Sequence, residues 1–134
     1  MQTLNITTIL LSIFSSSLVS LLISTILLDP LKEKKKYIFT QKQQIYHSLI
    51  VFAQIVLYPS AAKFSLHVTY YDITQLSDKK NVSNALNDLK MSIPRLKLIT
   101  KNSKVVHSVQ QFIDEPNEST FDALVHILQK DLYK

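Results

Sequence analysis

Residues 6–36 read ITTILLSIFSSSLVSLLISTILLDPLKEKKK, and this stretch decides what kind of chain it is. From Ile6 to Leu28, twenty-three residues pass without an Asp, Glu, Lys or Arg, and Lys32, Lys34, Lys35 and Lys36 follow directly. As a helix rising about 1.5 Å per residue, the uncharged run is long enough for a hydrocarbon core of roughly 30 Å.

A secretory signal requires a basic leading region, an apolar stretch of about 7–15 residues and a small-residue cleavage site. Here residues 1–5 carry no basic side chain, the run is longer, and it ends in Leu27-Leu28-Asp29-Pro30 rather than Ala-x-Ala. An uncleaved anchor over residues 1–29 is therefore expected. A buried core helix is disfavoured, because no other segment is large and apolar enough to wrap a helix that is hydrophobic on all sides. Lysines after the run and none before it predict an N-terminus outside the cell membrane and a cytoplasmic domain over 30–134.

Polarity within the run is patterned. Thr8, Ser12, Ser16, Ser20 and Ser24 recur every fourth residue and form a ridge of small hydroxyl side chains on one helix face. Such a ridge lets two helix backbones approach and their hydroxyls bond across the contact, which makes these five the candidate helix-association residues and a homo-oligomer a candidate assembly. The competing explanation is that membrane helices tolerate Ser and Thr because each hydroxyl can bond the carbonyl one turn back. Thr7, Ser15, Ser17 and Thr25 lie off the ridge, so the segment is also simply rich in hydroxyls.

Asp29 and Pro30 read as a helix restart after a break or kink, since Asp is a preferred N-cap and Pro suits the first helical position. Beyond them Lys32, Lys34, Lys35, Lys36 and Lys42 form a basic juxtamembrane segment, 32–42, facing the lipid headgroups. Each cation near an anionic leaflet gains on the order of 1 kcal/mol. All fifteen Lys and Arg and all ten Asp and Glu lie from Asp29 onward, so the net charge of +5 belongs to the aqueous part and favours anionic partners.

The chain has no cysteine and no glycine. The first absence removes disulfides, thiolate catalysis and Cys-based zinc sites. The second removes the P-loop, the dinucleotide fingerprint and the nucleophile elbow, and argues against tight β-hairpins. A mainly α fold is expected, with an N-terminal transmembrane helix and a small cytoplasmic helical bundle.

Ile45 to Tyr58 is too short to span, and His47 and Gln54 are costly in lipid, so it is expected as the central buried helix of that bundle. The alternative extends it through Ala61, Ala62 and Phe64 toward Tyr71 as a second, Pro-kinked span carrying Lys63 and His67. Over 64–70 the alternation Phe64, Leu66, Val68, Tyr70 predicts a short strand, with only Leu96-Lys97-Leu98 as a partner. Ser83 to Met91, with Leu86 and Leu89 on one face, predicts a helix closed by Pro94. Ser103 is the expected cap of a helix bearing Val105, Val106, Val109, Phe112 and Ile113. Ser119 and Asp122 resemble a capping box ahead of the stripe Phe121, Leu124, Leu128 and Leu132. The turn Asp114-Glu115-Pro116-Asn117 sets the last two helices antiparallel.

Chemistry is sparse. His47, His67, His107 and His126 never fall at the i, i+3 or i, i+4 spacing of two ligands on one helix face. His126, among Leu124, Val125, Ile127 and Leu128, reads as a core or boundary side chain. His67 and Asp72 with Tyr70 and Tyr71 form the one conceivable acid–base cluster, and no nucleophile accompanies it. No catalytic, cofactor or metal residue is assigned, and a non-enzyme is expected. Lys90, Arg95, Lys97, Lys101 and Lys104 stand in an interval free of acids, but no aromatic falls between Tyr71 and Phe112, so nucleic acid is a poor candidate partner.

The layout of one anchor, a basic segment and an amphipathic helical tail, 121–133, resembles small, uncharacterised single-pass proteins of bacteria and their prophages. The resemblance lies in architecture alone and implies an accessory or defence-type role. The function expected is that of a membrane-anchored interaction or regulatory protein that binds a cytoplasmic partner. The alternative is a membrane-active effector of a phage-defence or toxin-type system, assembled through its transmembrane helix.

Overall fold

The computed structural model describes residues 2–65 and 73–134. Six α-helices account for most of them: α1 (Gln2–Ile23), α2 (Asp29–Leu57), α3 (Pro59–Ser65), α4 (Asp78–Ile99), α5 (Ser103–Asp114) and α6 (Glu118–Leu132), with a π-helical turn, Ser24–Leu28, between α1 and α2. No strand forms among the described residues. The chain divides into two compact units, Met1–Ile38 and Phe39–Lys134.

In the first unit, α1 and the π turn make up the apolar run, which is long and apolar enough to cross a bilayer, with none of it buried. Asp29 does not break the helix. Its backbone is helical (φ −64°, ψ −46°) and its N–H reaches back five residues to the Ser24 carbonyl. The cause is Pro30, which lacks an N–H and whose ring would strike the carbonyl of Ile26 in a regular α-turn. Widening the turn just ahead of the proline relieves that clash without ending the helix. The expected restart at Asp29 is thus corrected to a continuous helix with a local bulge.

The second unit has its own core. Ile45, Leu49, Phe52 and Ile55 from α2 meet Ala85, Leu89 and Leu96 from α4, Val105, Val109 and Phe112 from α5, and Leu124 and Leu128 from α6, all buried. Within each set the intervals are three or four residues, or seven from Leu89 to Leu96, as one face of a helix requires. The segment expected as the central helix is the second half of α2, and it lies in this core. Phe112 and Phe121 tilt against each other at 6.3 Å across the α5–α6 pair.

Several boundaries differ from expectation. Phe64 and Ser65 are helical in α3, and the rest of the strand expected over 64–70 lies outside the described residues. Leu96, Lys97 and Leu98 are helical too, because α4 runs through Pro94 to Ile99. That proline is tolerated because it and Lys90 both face solvent, so the Lys90 carbonyl deprived of its donor is left to water. Asn102 rather than Ser103 caps α5, accepting from the Lys104 N–H at 3.1 Å. At α6 the capping box is Asn117 with Thr120, not Ser119 with Asp122. The Asn117 side chain accepts from the Thr120 N–H at 2.9 Å, and the Thr120 hydroxyl accepts from the Asn117 N–H at 3.1 Å. Asn117 is the extended residue before the helix, whereas Ser119 already lies within it.

Candidate functional site

Among the described residues of the second unit, the most concentrated polar chemistry gathers on one carboxylate. Asp131 takes a place in the apolar stripe of α6, three residues after Leu128 and seven after Leu124, and its burial follows from that position. Lys42 and Tyr46 stand one turn apart on α2, and Thr100 ends α4 with an extended backbone. All three donate to Asp131 Oδ2: the Tyr46 hydroxyl at 2.5 Å, the Lys42 ammonium at 2.9 Å and the Thr100 hydroxyl at 3.1 Å. Tyr46, Thr100 and Asp131 are all buried. Thr100 Oγ1 also accepts from the Asn102 N–H at 3.1 Å, so the turn before α5 joins the network.

Burial pushes the Asp131 carboxyl up, but the hydrogen bonds from Tyr46, Lys42 and Thr100 outweigh it and hold the group below its ordinary value of 3.8. Tyr46 moves the other way. Burial raises its phenol, and the bond to Asp131 raises it further. The proton therefore stays on Tyr46 and the charge on Asp131. With its acceptor oxygen supplied by three donors from α2 and the α4–α5 turn, the carboxylate acts as a clasp for the end of α6. At the other end of α6, Tyr58 donates to Glu118 at 2.6 Å. The two contacts, Tyr46 to Asp131 and Tyr58 to Glu118, set α2 and α6 antiparallel.

A smaller polar cluster pins α3 to α4. Asp78 lies 2.7 Å from the Lys63 ammonium and accepts from the Ser60 hydroxyl at 2.6 Å, and both contacts lower its carboxyl. No group of three or more His, Asp or Glu side chains is placed to hold a metal ion among the described residues. His47, His107 and His126 are exposed, so His126 is not the core or boundary side chain expected of it: its position on α6 turns away from the Leu124–Leu128 stripe. His67, Tyr70, Tyr71 and Asp72, the conceivable acid–base cluster, lie outside the described residues.

The residues singled out in sequence fall into the two units. Thr8, Ser12, Ser16 and Ser20 are exposed along α1, and Ser24 is half-buried at the start of the π turn. Ser12, Ser16, Ser20 and Ser24 line one open groove with Ser15. Three hydroxyls off the ridge bond back to the preceding turn: Ser15 to Ser12, Ser17 to Phe14 and Thr25 to Leu21. The side chains of Ser12, Ser16, Ser20 and Ser24 take no hydrogen-bond partner among the described residues. Lys32, Lys34, Lys35 and Lys36 are exposed at the start of α2. Lys42 is different, because its ammonium is held by Asp131 and only 18% of its side chain is exposed.

Sequence pattern alone does not reveal the clasp. Its signal was an acid at a stripe position of α6, where an apolar residue is the default. No family model, curated protein or solved structure matches the chain.

Proposed function

We propose that the protein is a membrane-anchored, non-enzymatic interaction or regulatory module whose helical unit works at the cytoplasmic face. The observation that carries the reading is the surface of α1 and the π turn. Leu11, Phe14 and Leu21 each leave about two thirds of their area uncovered, at 66%, 67% and 66%. Apolar surface of that extent needs a cover, and a bilayer supplies one along the whole helix. A core helix of a soluble protein meets the same length and composition but is covered by its own fold, whereas this one is not. Lys32, Lys34, Lys35 and Lys36 suit the anionic cytoplasmic leaflet.

Alkaline carbonate extraction, together with a reporter fused in turn to each terminus, tests the reading. The chain should stay in the membrane pellet, with an active cytoplasmic reporter only at the C-terminus. Release into the supernatant would overturn it.

A second reading, a membrane-active effector of a defence or toxin type, is favoured by the hydroxyls of Ser12, Ser16, Ser20 and Ser24, which make no back-bond along α1. Those donors are free to bond a second helix. Induced expression should then depolarise a membrane-potential dye, and Ser16→Leu with Ser20→Leu should abolish the cross-linked oligomer. An unchanged cross-linking pattern sinks this reading and leaves the first standing.

A further inference from the structure

We propose that the outward face of α4 is a second lipid contact, an amphipathic surface that lies on an anionic leaflet independently of the uncharged run. At 100° per residue, Lys80, Met91 and Leu98 share one stripe along α4, with Lys90 and Lys97 on one flank and Arg95 on the other. All six are exposed, Met91 at 78% and Leu98 at 87%, while Ala85, Leu89 and Leu96 on the opposite side are buried.

A single exposed Leu is ordinary. Two large apolar side chains two turns apart on one stripe, bracketed by cations, are the pattern of a surface-lying helix. The lysine and arginine stems are long enough to lie along acyl chains while their charged ends reach headgroup phosphates. Charge complementarity names the occupant. The acids of α4 are Asp78, bonded to Lys63 and Ser60, and Asp88, half-buried on the Arg95 flank, so the stripe itself carries no negative charge.

Aliphatic side chains offer no stacking to bases, and the face has no aromatic. Lipid therefore accounts for Met91 and Leu98, whereas nucleic acid leaves them exposed. A tethered unit needs only weak docking, because its effective concentration at the leaflet is high. Each cation near an anionic leaflet strengthens docking about fivefold. The proposal extends the anchored reading and is tested apart from it.

The chain lacks cysteine, so single-site labelling is unambiguous. The full chain is reconstituted in phosphatidylcholine vesicles with and without phosphatidylglycerol. An environment-sensitive dye is placed by Met91→Cys, Leu98→Cys, Gln111→Cys on exposed α5, or Leu18→Cys in the uncharged run. With phosphatidylglycerol the dyes at 91 and 98 should shift to the blue and be quenched by headgroup-proximal spin-labelled lipid, while the dye at 111 stays aqueous. Lys90→Gln with Lys97→Gln should weaken this docking about twenty-five-fold.

Dyes at 91 and 98 that match the one at 111 in both lipids would overturn the proposal. So would undiminished docking of the charge-removed variant, or a blue shift induced by a single-stranded oligonucleotide in place of phosphatidylglycerol. The dye at 18 judges the anchor alone: its failure to be quenched by lipid spin-labelled deep in the acyl chain counts against the anchored reading and leaves the result at 91 and 98 to be read on its own.

Discussion

Replacing Asp131 separates the clasp from ordinary core packing. In Asp131→Ala the Tyr46 and Thr100 hydroxyls, both buried, lose their shared acceptor. Each buried donor left without a partner costs about 1–2 kcal/mol. Lys42 keeps some access to water, so its orphaned charge adds less than the penalty for a fully buried pair. Together the variant should lose about 3–4 kcal/mol, with the loss appearing in the urea midpoint and not in the slope. Tyr46→Phe removes one hydrogen bond to a charge and should cost about 1.5–2 kcal/mol. In the double variant the phenol is no longer there to be orphaned, so the two losses should fall short of additive by at least 1 kcal/mol.

The assay is urea unfolding of the full chain in detergent micelles, followed by far-ultraviolet circular dichroism and by hydrogen exchange of α5 and α6. The sign of the acid response follows from the depressed carboxyl. A group whose value is lowered on folding stabilises fully above its unfolded value and loses that contribution as pH falls through the folded one. The penalty of Asp131→Ala should therefore persist at neutral pH and shrink below the ordinary carboxylate value of 3.8. Strict additivity with Tyr46→Phe, or a penalty below about 1 kcal/mol at neutral pH, would refute the clasp.

Three further outcomes follow from the packing and the caps. Phe112→Ala removes a fully buried ring from the centre of the core and should cost about 3–5 kcal/mol in the same urea assay. Pro94→Ala restores a donor for the Lys90 carbonyl inside α4 and should stabilise the folded unit by about 1 kcal/mol or more, seen as slower exchange across α4. Thr120→Val keeps the shape but removes the hydroxyl that accepts from Asn117 and donates to the Glu115 carbonyl at 2.8 Å. A loss of about 1–2 kcal/mol is expected, with Thr120→Ser restoring most of it.

The helical class and the core positions of α5 and α6 were legible because they rest on periodicity, and Val105, Val109, Phe112, Leu124 and Leu128 are all buried as their spacing predicts. Local breakers were less legible. Pro30 and Pro94 mark ends on propensity alone, yet a bulge admits the first and solvent admits the second, and neither remedy is written in the neighbouring residues. The caps of α5 and α6 lie one and two positions from where sequence places them, because Asn, Ser and Thr all serve and the choice depends on which residue becomes extended after the preceding turn. The clasp was illegible for a different reason. Lys42, read as one more headgroup lysine, finds its partner 89 positions away, the separation from 42 to 131, and only the fold brings them together.

The absence of glycine links these observations. A helix commonly ends on a left-handed residue, usually Gly, whose N–H closes back on the last carbonyls. No described residue has a positive φ, so the second unit ends its helices differently. After α4 the chain turns extended at Thr100 (φ −124°), and that residue's hydroxyl serves both Asn102 and the buried Asp131. After α5 it leaves the helical region at Glu115 (φ −143°, ψ 75°), and the carbonyl there accepts from Thr120 of the next helix. Each stop is thus secured by a side chain of a later element. Helix ends that depend on later elements form only when those elements dock, which ties the termini of α4 and α5 to α6 and makes folding of the unit cooperative. Asp131 is where this dependence is greatest, since one carboxylate holds the end of α4, the approach to α5 and the second half of α2 against the last turn of the chain.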